Sequence, residues 1–396
     1  MSPSTSAQKP NPSNTAAPVS PQRNIPIRDN PTHDPLTRPP VTPTTTRTLI
    51  SNGFTINVER SPLRIFADAD FAHAGATLVD EGSWPSAPAD HIIIGLKELD
   101  DKNPFPLKHV HIAFAHCYKQ QAGWQHVLSR YARGGGVLYD MEFLESEKRR
   151  VAAFGYHAGY AGAALALQAW ARQMGGGVLE GREPYGHKSE LDEEVRRGVR
   201  EAMEKFGRGY PTVLIIGALG RCGRGGIEMC REAGLPDENL MKWDMAETAK
   251  GGPFEEIREA DIFINCIYLD KKEIPKFITT DFLKQGQRNL SVVCDVSCDT
   301  TNPHNPIPFC STPTYFNAPT ITLPGFSSPP LSYITIDHLP SLLPREASEA
   351  FSKDLLPFLM QLPRRGEAPV WVGAERLYRE KVWSMPRELR GEVGAP

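Results

Sequence analysis

A chain of 396 residues with 40% apolar content is long enough for two domains with ordinary cores. Its charge is nearly balanced, at −3, which argues against a nucleic-acid face or an acidic tail. Seven irregularly spaced cysteines make no secreted disulfide framework, no N-terminal apolar run reads as a signal peptide, and residues 394–396 match no peroxisomal address. The expectation is a soluble cytoplasmic protein. Residues 1–47 are rich in Pro, Ser, Thr and Asn and cannot bury enough surface to offset their ordering entropy. Residues 1–24 read as a disordered extension, and 25–45 as chain threaded onto the fold without regular structure. A short helix is expected over 44–52, ending at Gly53, and strands over 54–58, 91–95, 111–116 and 136–139. The apolar run 151–171 has the length of a membrane span, but Gly155, Gly159, Gly162, Ala163 and Ala164 suit a buried helix closely packed by other backbone. A second α/β unit follows, with strands over 213–216, 240–243, 261–265, 291–293 and 333–336. Strands separated by helical patterns imply mostly parallel sheets, so the fold class is α/β: two Rossmann-like domains facing across a cleft.

The second unit opens with a glycine turn, Gly217-Ala-Leu-Gly220-Arg-Cys-Gly223, directly after an apolar strand and before a helical segment. The next strand ends in Asp244, about twenty residues past the last glycine. Such glycines let backbone N–H groups approach a pyrophosphate at a helix N-terminus. An acid at that strand end accepts hydrogen bonds from the adenosine ribose and disfavours a 2′-phosphate, which makes NAD the expected cofactor over NADP. The spacing is G-x-x-G-x-x-G rather than G-x-G-x-x-G, so a structural βαβ unit without a ligand is the alternative. The flanking strand and the late acid favour the nucleotide.

Polar groups recur at the C-terminal ends of the strands, where α/β folds place ligands. They are Lys97, Glu98, His116, Lys119, Asp140, Glu142, Arg149 and Arg150 in the first unit. In the second they are Cys266, Tyr268, Asp295, Ser297, Asp299, Asp337 and His338. Lys97–Glu98 reads either as a surface pair or as a lysine tuned for proton exchange. His116 is either a satisfied strand residue or the best general acid/base of the set. An arginine of the 149–150 pair aimed at the cleft would hold a carboxylate in a two-pronged bond. His109, His111 and His116 invite a metal reading, but no cysteine or carboxylate completes a ligand pattern, and no metal is expected.

Several stretches resemble the fungal saccharopine dehydrogenases, NAD-dependent lysine-forming enzymes of the alanine dehydrogenase/transhydrogenase-like superfamily. They include Ile92-Ile-Ile-Gly-Leu-Lys-Glu98, Phe114-Ala-His-Cys-Tyr-Lys119, Arg149-Arg-Val-Ala-Ala-Phe-Gly155, the 213–223 turn and Asp261-Ile-Phe-Ile-Asn-Cys-Ile-Tyr268. Asp299-Thr-Thr-Asn-Pro-His-Asn-Pro306 and the stretch 336–347 complete the set, so the resemblance spans residues 38–375. It implies that saccharopine, NAD and water give lysine, 2-oxoglutarate and NADH. By motif, Lys97 and His116 would be the proton-exchanging pair, with Glu98, Lys119 and Asp337 in support. Two groups that repel when protonated should include one that titrates near the working pH. Arg38, Arg150, Phe154, Ser297, Cys298 and Asp299 would bind substrate. Gly217, Gly220, Arg221, Cys222, Gly223, Asp244, Thr248, Cys266, Val296, Ile336, Asp337, His338 and Leu339 would bind NAD. The resemblance also implies that Cys222 and Cys266 can form a disulfide; two reduced thiols are the alternative. The expected division is a substrate domain from 25–153 and 343–396, and an NAD domain from 154–342. The expected partners are small molecules (saccharopine, lysine and 2-oxoglutarate), with no nucleic acid and no membrane, and the protein is expected to act as a monomer.

The chain departs from the family at its start. The family opens with an Arg-x-Glu-x-x-Lys-Pro strand and then Glu-x-Arg. In the corresponding region, 27–43, Arg38 and Thr42-Pro43 keep their places, while Leu36 stands where an acid and His33 where a lysine is expected. Pro31, Pro35, Pro39 and Pro40 oppose strand pairing, so the first strand is expected to be lost. Two further readings therefore stay open. One is a catalytically impaired NAD-binding paralogue acting as a partner subunit; the other is an alanine dehydrogenase-like oxidoreductase.

Overall fold

Short runs of branched apolar residues build two sheets, and the central runs at 92–94, 213–216, 262–265 and 292–295 are buried on both faces, as parallel strands covered by helices must be. The structure is a computed structural model. It describes residues 24–27, 38–99, 104–267, 269, 273–298, 300, 302, 304–309 and 311–394. The expected extension at 1–24 therefore lies outside the described residues, Asn24 excepted. The first unit comprises β1 (Asn24–Ile27), α1 (Pro43–Ser51), β2 (Thr55–Glu59), α2 (Asp68–His73), β3 (Thr77–Val79), β4 (Ile92–Ile94) and β5 (Val110–Ala113). It continues through α3 (Trp124–Gly134), β6 (Val137–Asp140) and the hairpin β7 (Glu145–Ser146) and β8 (Arg149–Arg150). Its main sheet has the order β3-β2-β1-β4-β5-β6, parallel throughout.

The first strand is present, contrary to the expectation from the proline-rich start. β1 pairs with β2 in register, Asn24 opposite Thr55 through Ile27 opposite Val58, and meets β4 at Ile94. It lies upstream of the prolines that argued against it. Pro26 alone falls inside it, and the loss of one N–H donor is outweighed by Ile25 and Ile27, each 1% exposed. His109 and His111, at the start of β5, are core residues. Their rings lie 6.0 Å apart, and His111 packs on Trp84 and Tyr131 at 5.1 and 5.3 Å.

The chain crosses to the second unit through α4 (Gly155–Met174) and α5 (Lys188–Phe206). There follow β9 (Val213–Ile216), α6 (Arg221–Glu232), β10 (Leu240–Trp243), α7 (Met245–Thr248), α8 (Glu255–Glu259), β11 (Ile262–Asn265), α9 (Thr280–Leu283), β12 (Val292–Asp295), β13 (Ile321–Ser327) and β14 (Pro330–Ile334). The order is β10-β9-β11-β12-β14-β13, with only β13 antiparallel. The last helices, α10 (Pro344–Leu359) and α11 (Pro369–Trp383), return to the first unit. Phe351, Leu355, Leu359 and Trp371 join its core beside Ile25, Ile56 and Ile94.

The apolar run 151–171 forms most of α4, a buried helix, and its small residues meet backbone. A Cβ on Gly159 would stand 1.8 Å from the Cys222 carbonyl oxygen of α6, and one on Gly225 would stand 1.9 Å from that of Tyr156. The two helices touch main chain to main chain. Among the described residues no helix is long and apolar enough to cross a membrane.

The crossing makes a paired prediction. Gly159→Ala should destabilise by about 3 kcal/mol, the upper end for overpacking. Gly198→Ala, in α5 with nothing within 4 Å of the added carbon, should instead stabilise by about 0.5–1 kcal/mol. Urea denaturation of both variants checks this.

Candidate active site

The two sheets bring their C-terminal strand ends to one cavity of about 260 Å³. Arg38, Lys97, Phe114, His116, Glu142, Arg150 and Phe154 line it from the first unit and from the chain entering α4. Asp337 and Pro340, beyond β14, line it from the second. Six residues expected from scattered motifs therefore share one space: Arg38, Lys97, His116, Arg150, Phe154 and Asp337.

His116 sits in the turn after β5 with φ of 47°, a conformation a bulky residue holds only under tertiary constraint. Its Nδ1 is bonded to the Glu98 carboxylate, which follows β4. That bond raises the His116 pKa above its ordinary value against the opposing effects of burial and the nearby Lys97 charge. Burial alone would raise Glu98, but the bond and the imidazolium charge hold it below its usual range. The repulsion expected between Lys97 and His116 is thus outweighed by the Glu98 partner.

A second carboxylate organises the other wall. Lys119 Nζ donates to Glu142 Oε1 at 2.6 Å, and the Arg150 guanidinium lies 3.8 Å from the same oxygen. Glu142 is placed by buried Asp140, whose Oδ1 accepts from the Glu142 N–H and whose Oδ2 accepts from Ala115 N–H. Burial pushes the Asp140 carboxyl up to about 6. Lys119 therefore reaches the site through Glu142. Glu142 was legible only as one of several acids at a strand end, because its two partners lie on other turns.

Arg38 is 8% exposed, with its guanidinium carbon 4.4 Å from the centre of the Phe154 ring. His157, one turn into α4, is kept neutral by burial and by the Arg38 charge, which bring its pKa down to about 4. Sequence reasoning missed Phe114 and Phe351. Phe114 lines the cavity and Phe351 lies behind it; both are ordinary apolar residues in the chain, and only their neighbours mark them.

The glycine turn has the form the pattern suggested. Gly217 has φ of 89°, and a Cβ on Gly223 would stand 2.2 Å from the Gly217 carbonyl oxygen. This close approach seats the N-terminus of α6 against the turn. Asp244 ends β10, and its carboxylate accepts from Leu219 N–H at 3.0 Å and Met245 N–H at 2.9 Å. It thus fixes the turn and caps α7, while Thr248 Oγ1 donates to the Asp244 carbonyl. These residues fit a dinucleotide: a cradle only glycine can form, a helix N-terminus beside it, and a half-buried acid at the end of the neighbouring strand. Arg221 Nη2 donates to the Arg150 carbonyl at 2.7 Å and so joins the turn to the cavity wall.

The other expected residues are placed less directly. Ser297 Oγ donates to buried Asp295 at 2.6 Å, as does Asn265 Nδ2 at 2.9 Å. Cys298, at φ of 53°, is bonded to Thr335. Val296 and Leu339 pack on Gly162 of α4, and Ile336 is wholly buried. The His338 ring packs on Phe316 at 5.0 Å. Tyr268 and Asp299 lie outside the described residues. The disulfide allowed for Cys222 and Cys266 is not formed, and both are free thiols. Burial raises the pKa of each, which disfavours the thiolate that disulfide formation needs.

Comparison with known proteins agrees with this architecture. The alanine dehydrogenase/PNT N-terminal domain matches residues 33–161, and the C-terminal domain matches residues 246–379. A solved L-alanine dehydrogenase shares the fold at a TM-score of 0.56 and 17% identity, over 89% of this chain and 93% of that one. A transhydrogenase from Sinorhizobium meliloti does so at 0.57 and 16%, over 86% and 95%. The fold and the cleft define a two-domain protein of the alanine dehydrogenase/transhydrogenase class. The saccharopine dehydrogenase [NAD(+), L-lysine-forming] of Neurospora crassa is 57% identical over 352 residues, 88% of this chain and 94% of that protein. Its namesake in Yarrowia lipolytica is 56% identical over 87% and 94%, and that of Schizosaccharomyces pombe 51% over 87% and 95%. The chain belongs to the NAD-dependent, L-lysine-forming saccharopine dehydrogenase family.

The Glu98–His116 bond has a sign that can be measured. In the intact protein His116 should titrate above the ordinary histidine value of about 6.5. Glu98→Gln removes the carboxylate that stabilises the imidazolium, so the His116 pKa should fall. Side-chain NMR across a pH series checks both values.

Proposed function

We propose that the cleft cleaves L-saccharopine oxidatively: saccharopine, NAD+ and water give L-lysine, 2-oxoglutarate, NADH and a proton. The observation that carries this reading is the single cavity in which Arg38, Lys97, His116, Arg150 and Asp337 meet, tied by Arg221 to the glycine turn. Bound NAD supplies the hydride acceptor for the carbon bearing the secondary amine. The residues of the chain bind, orient and move protons.

Arg38 and Arg150 are the carboxylate holders, and saccharopine carries three carboxylates. Phe154 braces Arg38, and Glu142 sets Arg150 and Lys119 on one wall. Cleavage requires protons to leave the amine and the attacking water, and one to reach the departing lysine amine. Lys97 and His116 are the exchanging pair. The Glu98 bond biases His116 towards imidazolium, the form that donates to the leaving amine. Asp337 places a carboxylate opposite this pair from the second unit. The two units of a single chain supply both walls of the cavity, so the reaction needs no second copy to complete the site, and we read the protein as acting as a monomer. The six described cysteines are all thiols, a state that suits a reducing compartment, and we place the enzyme in the cytoplasm. The division at 25–153 with 343–396, and 154–342, fits the return of α10 and α11 to the first core. The reading as an impaired partner subunit rested on a lost first strand, and β1 removes that ground.

NADH oxidation with lysine plus 2-oxoglutarate tests the reaction, with pyruvate plus ammonia as the control that should be inactive. In that assay His116→Gln and Lys97→Met should each lower turnover by roughly a hundredfold or more while NAD binding holds. The double variant should lose less than the product of the two. Steady-state kinetics with a separate NAD titration checks both. For the cofactor, NAD should be strongly preferred over NADP. Asp244→Ala should erode that preference by roughly tenfold or more, equivalent to about 1.4 kcal/mol of lost discrimination. The ratio of kcat/KM for the two cofactors measures it.

A further inference from the structure

The two chemical ends of the cavity share a support that never reaches the substrate space. Phe351 lies on α10, is wholly buried and lines no part of the cavity. Its ring stacks on that of Phe154 with centres 4.3 Å apart and planes 8° from parallel. Phe154 in turn bears the Arg38 guanidinium at 4.4 Å. Phe114 closes the triangle, 6.0 Å from Phe351 and 6.4 Å from Phe154, and stacks on the His116 imidazole at 6.4 Å. Phe351 is therefore one ring away from Arg38 and one ring away from His116. Its neighbour Ser352 holds the chain beyond Arg38: Ser352 Oγ accepts from Thr42 N–H at 3.1 Å and donates to Thr45 Oγ1 at 2.8 Å.

We propose that Phe351 is a positioning residue that sets the spacing between the Arg38 guanidinium and the His116 imidazole through the rings of Phe154 and Phe114. The physical reason is the shape of the contact. A close-packed interior has no free volume into which a stacked ring can tilt. The flat stack on Phe154 removes the motions that would let Arg38 drift, and the packing of Phe351 on Phe114, tilted by 50°, limits those of the ring beside His116. An aliphatic side chain of similar bulk fills the space but offers no flat face. The spacing matters because one substrate must meet a carboxylate-binding group and a proton-transfer group together, and small misplacements cost rate steeply.

The kinetic part of the proposal rests on reading the cleft as the lysine-forming site; the placement part does not. The test uses the full chain with Phe351→Leu. In this variant saccharopine KM should rise about tenfold and turnover should fall several-fold. The NAD dissociation constant should hold, because the glycine turn belongs to the other unit. His116 should titrate lower than in the intact protein, because its imidazole is no longer held on Glu98. Leu355→Ala, on the same helix and in the same core, is the control for destabilisation alone; it should lower the melting temperature and leave KM and the His116 titration in place. Phe154→Leu with Phe351→Leu should raise KM no further than Phe154→Leu alone, since one acts through the other. Wild-type KM and His116 titration in Phe351→Leu would overturn the proposal. So would equal effects from Leu355→Ala, or single-variant effects that multiply in the double. An intact chain that turns over no lysine plus 2-oxoglutarate would instead sink the functional reading, and the His116 titration would still decide the placement.

Discussion

The main-chain contact between α4 and α6 is the constraint on which the rest of the site depends. Gly159 and Gly225 leave no room for a side chain at the crossing, so the helices pack backbone against backbone. The start of α4 carries Phe154 and follows directly on Arg150, and the start of α6 carries the glycine turn. The crossing therefore fixes how far Arg150 and Phe154 stand from the glycine turn. The Arg221–Arg150 bond closes the same gap from the side. A rigid main-chain crossing sets the spacing of the turn and the cavity wall more firmly than side-chain contacts could.

Around this frame, carboxylates hold several of the cleft's charged groups in place. Glu98 holds His116, Glu142 holds Lys119 beside Arg150, and Asp140 holds Glu142. Asp244 spends both carboxylate oxygens on backbone N–H groups. Asp295 gathers Ser297, Asn265 and Tyr333 at the end of β12. Buried carboxylates are costly unless bonded, and here each acid orders a loop at a strand's C-terminal end. The aromatic triangle of Phe114, Phe154 and Phe351 does for the apolar side what these acids do for the polar side.

Much was legible in the sequence because much is local. The β9 strand, the glycine turn and the acid ending β10 are set by residues a few positions apart, and their spacing was read correctly. Gly217 needs a positive φ that its own turn imposes. The run at 151–171 was read as a buried helix because its glycines and alanines announce close packing, whichever element supplies the partner. The error at the N-terminus was also local in origin. The prolines at 31–40 lie downstream of the strand they argue against, and a four-residue segment gives little signal by itself. Its stability comes from its place between β2 and β4.

The sequence by itself determined the α/β class, the nucleotide turn, the family motifs and the residue types available to the cleft. These follow from short-range periodicity, turn chemistry and spacing. The tertiary structure decided which groups meet. Glu98 bonds His116 across 18 residues, Glu142 bonds Lys119 across 23 and Arg221 bonds the Arg150 carbonyl across 71. Ser352 meets Thr42 across 310. It also decided that Cys222 and Cys266 are separate thiols, and that Phe351 packs behind a site some two hundred residues before it in the chain. No local pattern encodes such pairs, because each partner is acceptable alone in many settings. They become specific only when sheet order and helix crossing bring the two ends of the chain to one place.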